Sequence, residues 1–302
     1  MTMNSASFAK LLYPGLNSIY GQAYAEWPTE YTQLFDQESS TRAYEEDIGV
    51  TGFGLARVKT EGQSIDYDDM EQAYITRYAH LVWALGFIIT REVFEDDLYD
   101  VVGKRKAKSL AYSLRQTLEI VHANVYNRAF TSTYTGGDGK ELLATDHPNY
   151  SGGTWANELS SASNLSEAAL EQACIDIGKW ENDRGLKIAV IPQSLHIPVD
   201  LEFVAARILN SPYRVNTANN DINAVRFLGK FPKGIHINHY FDSTKAWFVR
   251  TNAPDGMKSF LRRGMEFNVD NDFDTENAKY KSTIRFSAGW TDPRAAFGSP
   301  GV

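Results

Sequence analysis

Apolar residues along this chain change their spacing from segment to segment, and each change predicts a different element. Residues 1–44 carry Leu11, Leu12, Tyr13, Leu16, Ile19, Tyr20, Tyr24, Trp27, Tyr31, Leu34 and Phe35, interrupted by Pro14, Gly15, Gly21 and Pro28. Those breakers predict several short helices instead of one continuous helix. The segment reads equally as an N-terminal subdomain or as an arm that lays its apolar residues on a neighbouring molecule. Residues 45–94 place Gly49, Gly52, Gly54 and Gly62 among strand formers. An acidic patch (Asp66, Asp68, Asp69, Glu71) follows, and then an aromatic and β-branched run over 74–94. A long hairpin or several strands would produce that order, either projecting from the molecule or folded onto its core.

The clearest periodicity follows. Ala107, Ala111, Leu114, Leu118, Val121 and Val125 recur at steps of three and four and predict a helix over about 96–130, with Glu95, Asp96 and Asp97 suiting its start and Gly136-Gly137 lying past its end. At about 1.5 Å per residue it would run roughly 50 Å, long enough to act as a spine. Residues 138–163, rich in Gly, Ser, Asn and Thr around Asp146-His147-Pro148-Asn149, read as loop. A second helix begins at Asn164 (with Glu167) or Ser166, buries Leu170, Ala173, Cys174, Ile177 and Trp180 or Glu181, and ends near Gly185. Then come a buried strand over 186–191 stopped by Pro192, a helix over 199–209, and strands near 225–228, 234–238, 246–250, 265–270 and 280–288. The fold class is α+β.

Composition narrows the function. At 302 residues the chain can bury a substantial core in one large or two modest domains. One cysteine, Cys174, rules out an internal disulfide framework. Residues 1–10 lack the pattern of a secretory signal, and no stretch approaches the roughly 20 apolar residues of a membrane helix, so no membrane partner is expected. A net charge of −8 argues against a protein that coats or reads nucleic acid.

Candidate chemistry is sparse. Asp270, Asp272, Asp274 and Glu276 alternate like the start of a calcium loop, but Thr275 stands where the sharp-turn glycine belongs and Lys281 where the closing acid belongs. A solvated acidic strand or loop is the better reading. His236 and His239, the one close histidine pair, fall on opposite faces of a strand. Cys174 on a helix face reads as core. No nucleophile elbow, zinc helix, phosphate loop or dinucleotide fingerprint is present. The expectation is therefore no catalytic residue, no cofactor, no metal and no enzyme.

The order of elements resembles the Hong-Kong-ninety-seven-type capsid fold over nearly the whole chain. Two stretches carry the likeness most specifically: residues 164–209, with "NDRGLKIAVIPQSL" between two helices, and the terminal "ENAKYKSTIRFSAGWTDPRAAFG". Both are similar to the major head proteins of tailed phages, including the Mu-like group. The resemblance implies an N-arm over 1–44, an extended hairpin (the E-loop) over 45–94 and a peripheral domain with the spine helix over 95–185. An axial domain with a mixed sheet would span 186–278, and 279–302 would return as the last strand of the peripheral domain. It implies hexamers and pentamers that close into an icosahedral shell around double-stranded DNA, made in the bacterial host cytoplasm and located in the virion. The partners implied are the chain itself, a portal, a decoration protein in some relatives, packaged DNA held without sequence specificity, and a separate scaffolding protein, because Met1 stands close to the arm. Lys59 lies in the E-loop, but the acceptor pattern of a covalent cross-link is not matched. Assembly contacts are expected at the arm aromatics Tyr13, Tyr20 and Trp27, at Asp66, Asp68 and Asp69, and at Lys104, Arg105 and Lys106, each with an intrachain role or simple solvation as its rival. An encapsulin-type nanocompartment shares the fold and is the alternative; a soluble enzyme with an unfamiliar site is a third.

Overall fold

The computed structural model describes residues 5–95, 99–214, 221–271 and 277–302. Helix α1 (Ser5–Glu26) and the single turn α2 (Tyr31–Leu34) lead into the short strand β1 (Asp36–Ser39). Strands β2 (Tyr44–Val50) and β3 (Gln72–Ala79) form a hairpin, β4 (Leu81–Ile89) follows, and α3 (Arg91–Glu95) precedes the long helix α4 (Tyr99–Asn127). A loop carrying the two-residue strands β5 (His147–Pro148) and β6 (Thr154–Trp155) then leads to helix α5 (Glu167–Lys179). The rest is β7 (Pro192–Pro198), α6 (Glu202–Asn210), α7 (Ala224–Phe227), β8 (Ile235–Asn238), β9 (Trp247–Thr251), β10 (Met257–Asn271), β11 (Ala278–Trp290) and β12 (Ala296–Ser299).

Two four-stranded sheets organise these elements. In the first, ordered β1-β10-β11-β4, the long antiparallel β10–β11 pair is flanked by parallel β1 and antiparallel β4. Helices α1 and α4 cover one face, burying Leu16, Tyr20 and Ala23 with Leu110, Leu114 and Leu118 against Phe267, Tyr280, Ile284 and Phe286. The second sheet, β12-β9-β7-β8, is mixed and packs on α5 and α6 through Leu170, Ile177, Leu195, Ile197, Ile208, Trp247 and Phe297. A third cluster joins them, where Leu34, Phe35, Tyr126, Leu142, Leu143, Phe248 and Met257 meet.

Several elements differ from the expectation, each for a local reason. Helix α1 runs unbroken through Pro14, Gly15 and Gly21. An interior proline costs about 3 kcal/mol, but Leu16, Tyr20 and Ala23, spaced one turn apart, are each at most 4% exposed, and burying large apolar side chains offsets that cost at roughly 1.5–3 kcal/mol apiece. The strand expected before Pro192 instead begins at it: Pro192–Pro198 is the buried run, and 186–191 is irregular. Proline is tolerated as a first strand residue, and the strand was masked by Ser194 and His196, which satisfy each other at 2.8 Å inside the core. Residues 225–228 lie in or beside helix α7, not a strand, because the Asn223 side chain caps the turn by accepting from Arg226 N–H at 3.1 Å.

Other elements refine the expected ones. Ser166 caps α5 by accepting from Ala169 N–H at 3.2 Å. The buried stripe of α4 starts at Ala107, Leu110, Ala111, Leu114 and Leu118 and continues through Glu119, His122, Ala123 and Tyr126, while Val121 and Val125 are only half-buried. The 74–94 run divides: β3 closes the hairpin, and β4 leaves it to pair with β11. Strand β10, expected within the 186–278 segment, pairs along its length with β11, whereas β12 joins the second sheet. Asp96, Asp97, Asp272, Asp274 and Glu276 lie outside the described residues.

Candidate functional site and assembly surfaces

The hairpin dominates the exposed surface. Its ladder runs from Tyr44↔Ala79 to Val50↔Gln72, and residues 51–71 extend beyond it without helix or strand. The stem packs against Gly137 so closely that a Cβ there would lie 2.8 Å from the Ile75 carbonyl oxygen. Lys258, only 8% exposed, anchors the stem through Asp47 and is itself held by Asp255 three residues before it. Higher up, Arg184 on the turn after α5 grips the loop: its Nη1 lies 3.0 and 2.8 Å from the Asp68 carboxylate oxygens, and its Nη2 donates to the Asp69 carbonyl. Asp68 also accepts from Gly54 N–H at 2.7 Å, and these bonds, the Gly54 N–H first and Arg184 next, hold its carboxyl below the usual range.

Beyond that grip the loop finds no core. Leu55, Val58 and Tyr67 are 78%, 94% and 88% exposed. Its outer part is shaped by the 3.6 Å Arg57–Asp66 ion pair and a Gln63 N–H to Thr60 carbonyl bond. Leu81, Val82, Leu85 and Ile88 on β4 form a second exposed apolar strip, and Tyr213, Ile222, Phe227 and Leu228 a third beside α7.

The residues singled out from sequence divide accordingly. Tyr20 is fully buried in its own subunit, its hydroxyl 2.8 Å from Ser282 Oγ and its pKa pushed up to about 12 by burial. Trp27 is half-exposed against Tyr112, with ring centroids 4.6 Å apart. Tyr13 falls within α1, but its side chain lies outside the described residues. Asp66, Asp68 and Asp69 share the projecting loop, paired as above. Lys104, Arg105 and Lys106 are exposed on α4, and Lys106 Nζ donates to the Ile88 carbonyl at 3.0 Å. The β4 strip and Arg184 were missed. The signal for the strip was present as nine consecutive residues without a charge, whereas nothing local marks Arg184.

Several titratable groups inside the molecule make structural contacts. Glu119, 1% exposed, accepts from the backbone N–H groups of Glu30 and Tyr31 at 3.2 and 2.8 Å, tying α2 to α4, and burial pushes its pKa up to about 6. His147, fully buried, sits between Asp138 at 2.7 Å and Asn157 at 3.0 Å. Burial pushes the Cys174 thiol up to about 11, the opposite of an activated nucleophile. Among the described residues no group of His, Cys, Asp and Glu is arranged to hold a metal, and no helix is long and apolar enough to cross a membrane.

A projecting hairpin, a spine helix laid on a four-stranded sheet and a second mixed-sheet unit define a subunit of the Hong-Kong-ninety-seven-type shell class. Solved structures share this fold. The virus-like particle from Pyrococcus furiosus matches with a TM-score of 0.56 at 12% identity, covering 95% of this chain and 98% of that one. The procapsid of bacteriophage JBD30 matches at 0.53 and 14%, covering 97% and 75%, and the capsid of Myoviridae phage XM1 at 0.51 and 11%, covering 91% and 93%. No curated protein matches the chain by sequence. The family model for phage capsid protein matches residues 73–298, so the chain belongs to the phage capsid protein family. It is a structural major capsid protein, and its place is the virion shell.

Proposed function

We propose that this capsid protein assembles as hexamers and pentamers that close into an icosahedral shell around the double-stranded DNA of a tailed phage, and that it has no enzymatic role. One observation carries the reading: the projecting loop leaves Leu55, Val58 and Tyr67 almost wholly in water, and a stable subunit of this size buries such a group only by association. The net charge of −8 suits a wall that encloses DNA without gripping it. A portal, a separate scaffolding protein and, in some settings, a decoration protein belong to this reading, as does synthesis in the bacterial host cytoplasm.

Electron microscopy of the protein expressed alone and with a candidate scaffold tests it. Closed shells or hexamer and pentamer rings are expected, and a monomer under every condition would overturn the proposal. A nanocompartment shell shares the fold. Nuclease-protected double-stranded DNA inside particles made during phage infection separates the two.

A further inference from the structure

We infer that Arg184, Asp68 and Gly54 form a clasp inside the subunit that sets the direction of the projecting loop, and that shell assembly depends on this clasp. Arg184 is then a positioning residue for assembly. The inference rests on the shell reading above and goes beyond it by naming what prepares the loop.

On the body side, the clasp stands on a turn that its own bonds make rigid. Asn182 Oδ1 accepts from the N–H groups of Arg184 and Leu186, both at 2.9 Å. Asn182 N–H donates to the Leu186 carbonyl at 2.8 Å, and Gly185 N–H donates to the Asn182 carbonyl at 3.0 Å. Gly185 supplies the left-handed φ of +74° that closes the turn. Glu181 and Lys187 pair across its ends at 2.7 Å, and Asp183 faces the buried Arg294 guanidinium at 3.6 Å. Arg184 therefore reaches out from a fixed platform.

On the loop side, one carboxylate gathers both limbs. Asp68 accepts from Gly54 N–H on the ascending limb at 2.7 Å and from Asp69 N–H on the returning limb at 3.0 Å. Arg184 Nη1 reaches both oxygens of that carboxylate, and its Nη2 donates to the Asp69 carbonyl. The neck is tight on the ascending limb: a Cβ on Gly54 would crowd Asp68 Oδ2 at 3.2 Å and Arg184 Nη1 at 3.5 Å. Leu55, Val58 and Tyr67, the three most exposed apolar side chains of the loop, all lie on the outer side of this neck.

The clasp matters because of leverage. At about 3.3 Å per residue, the limb from Gly54 to the turn at Thr60 extends roughly 20 Å past the neck, so a swing of about 20° moves its tip by roughly 7 Å, or about two residues of extended chain. A loop already held in one direction loses less freedom when a second copy takes it up. A half-exposed ion pair adds little to folding itself, so its loss should be felt in assembly.

Light scattering, with electron microscopy to identify shells, gives the lowest protein concentration at which the full chain assembles. Arg184→Ala, Asp68→Ala and Gly54→Ala should each raise it at least fivefold while the melting temperature of the free subunit stays unchanged. Because Arg184 and Asp68 act through each other, the double alanine variant should be no worse than the more severe single one. Single variants that assemble at the parent's concentration or below it, or a double variant whose effect is the product of the two, would overturn the clasp and leave the shell reading standing. A parent chain that forms no oligomer would overturn both.

Discussion

His122 lies where α4, the 31–35 segment and β10 meet, and its two ring nitrogens have fixed roles. The Leu118 carbonyl, 2.7 Å from Nδ1, can only accept, so Nδ1 carries the proton and Nε2 accepts from Ser259 Oγ–H at 2.8 Å. Phe286, Tyr31 and Phe35 enclose the ring at centroid distances of 5.1, 4.4 and 5.2 Å. Burial lowers its pKa from 6.5 to about 4, so the unfolded chain binds a proton that the native one refuses. The stability this contributes above pH 6.5 is lost as pH falls towards 4, by about 3 kcal/mol. Urea midpoints at pH 7 and pH 4.5 should show a smaller acid loss in His122→Phe than in the parent. A second residue, Asn157, is fully buried and donates to the carbonyls of Leu142, Pro293 and Ala296 at 2.7, 2.9 and 3.2 Å, while accepting from Ala144 N–H at 2.9 Å. Asn157→Asp points a carboxylate at three carbonyl oxygens and should cost at least about 3 kcal/mol in the same unfolding experiment. Neither role was legible in sequence. His122 interrupts the apolar pattern, and Asn157 lies in a stretch that reads only as polar loop; their partners come from 137 and up to 139 residues away.

At the scale of elements, the pattern showed those whose burial follows a simple period. The spine helix, α5 and the β9 and β11 strands stand close to where the spacing put them, because Leu114 and Leu118 or Leu170 and Ile177 repeat at helical steps. Elements defined by capping or by buried polar residues were not legible: α7 depends on the Asn223 cap, and β7 carries Ser194 and His196 where a strand search wants aliphatics. The loop's acids were visible, but not that Arg184 holds Asp68 from another part of the chain. That grip orients the loop more than it stabilises the fold, since a half-exposed ion pair adds little to global stability. Arg184→Ala should therefore leave the melting temperature unchanged while speeding tryptic cleavage after Arg57 and Lys59 several-fold. Equal cleavage rates would show that the stem alone positions the loop.

For the molecule as a whole, two kinds of burial are separated along the sequence. The three internal clusters close without residues 51–71, none of which contributes to them, and the stem has its own supports in Gly137, Asp47 and Lys258. The loop is then surplus to folding, and its exposed apolar and acidic side chains have their use between subunits. Replacing residues 53–69 by a short glycine-containing turn, which keeps the Thr51 N–H to Glu71 carbonyl bond, separates the two. The shortened subunit should melt within a few degrees of the parent's free subunit, since the area it loses was never buried, and should form no closed shells at concentrations where the parent assembles. Assembly also stabilises by mass action, so the parent's melting temperature should rise with protein concentration and that of the shortened chain should not. If the shortened chain unfolded early, the loop would belong to the subunit's own core; if it closed shells normally, the contacts that hold the shell would lie on the β4 and α7 strips without it.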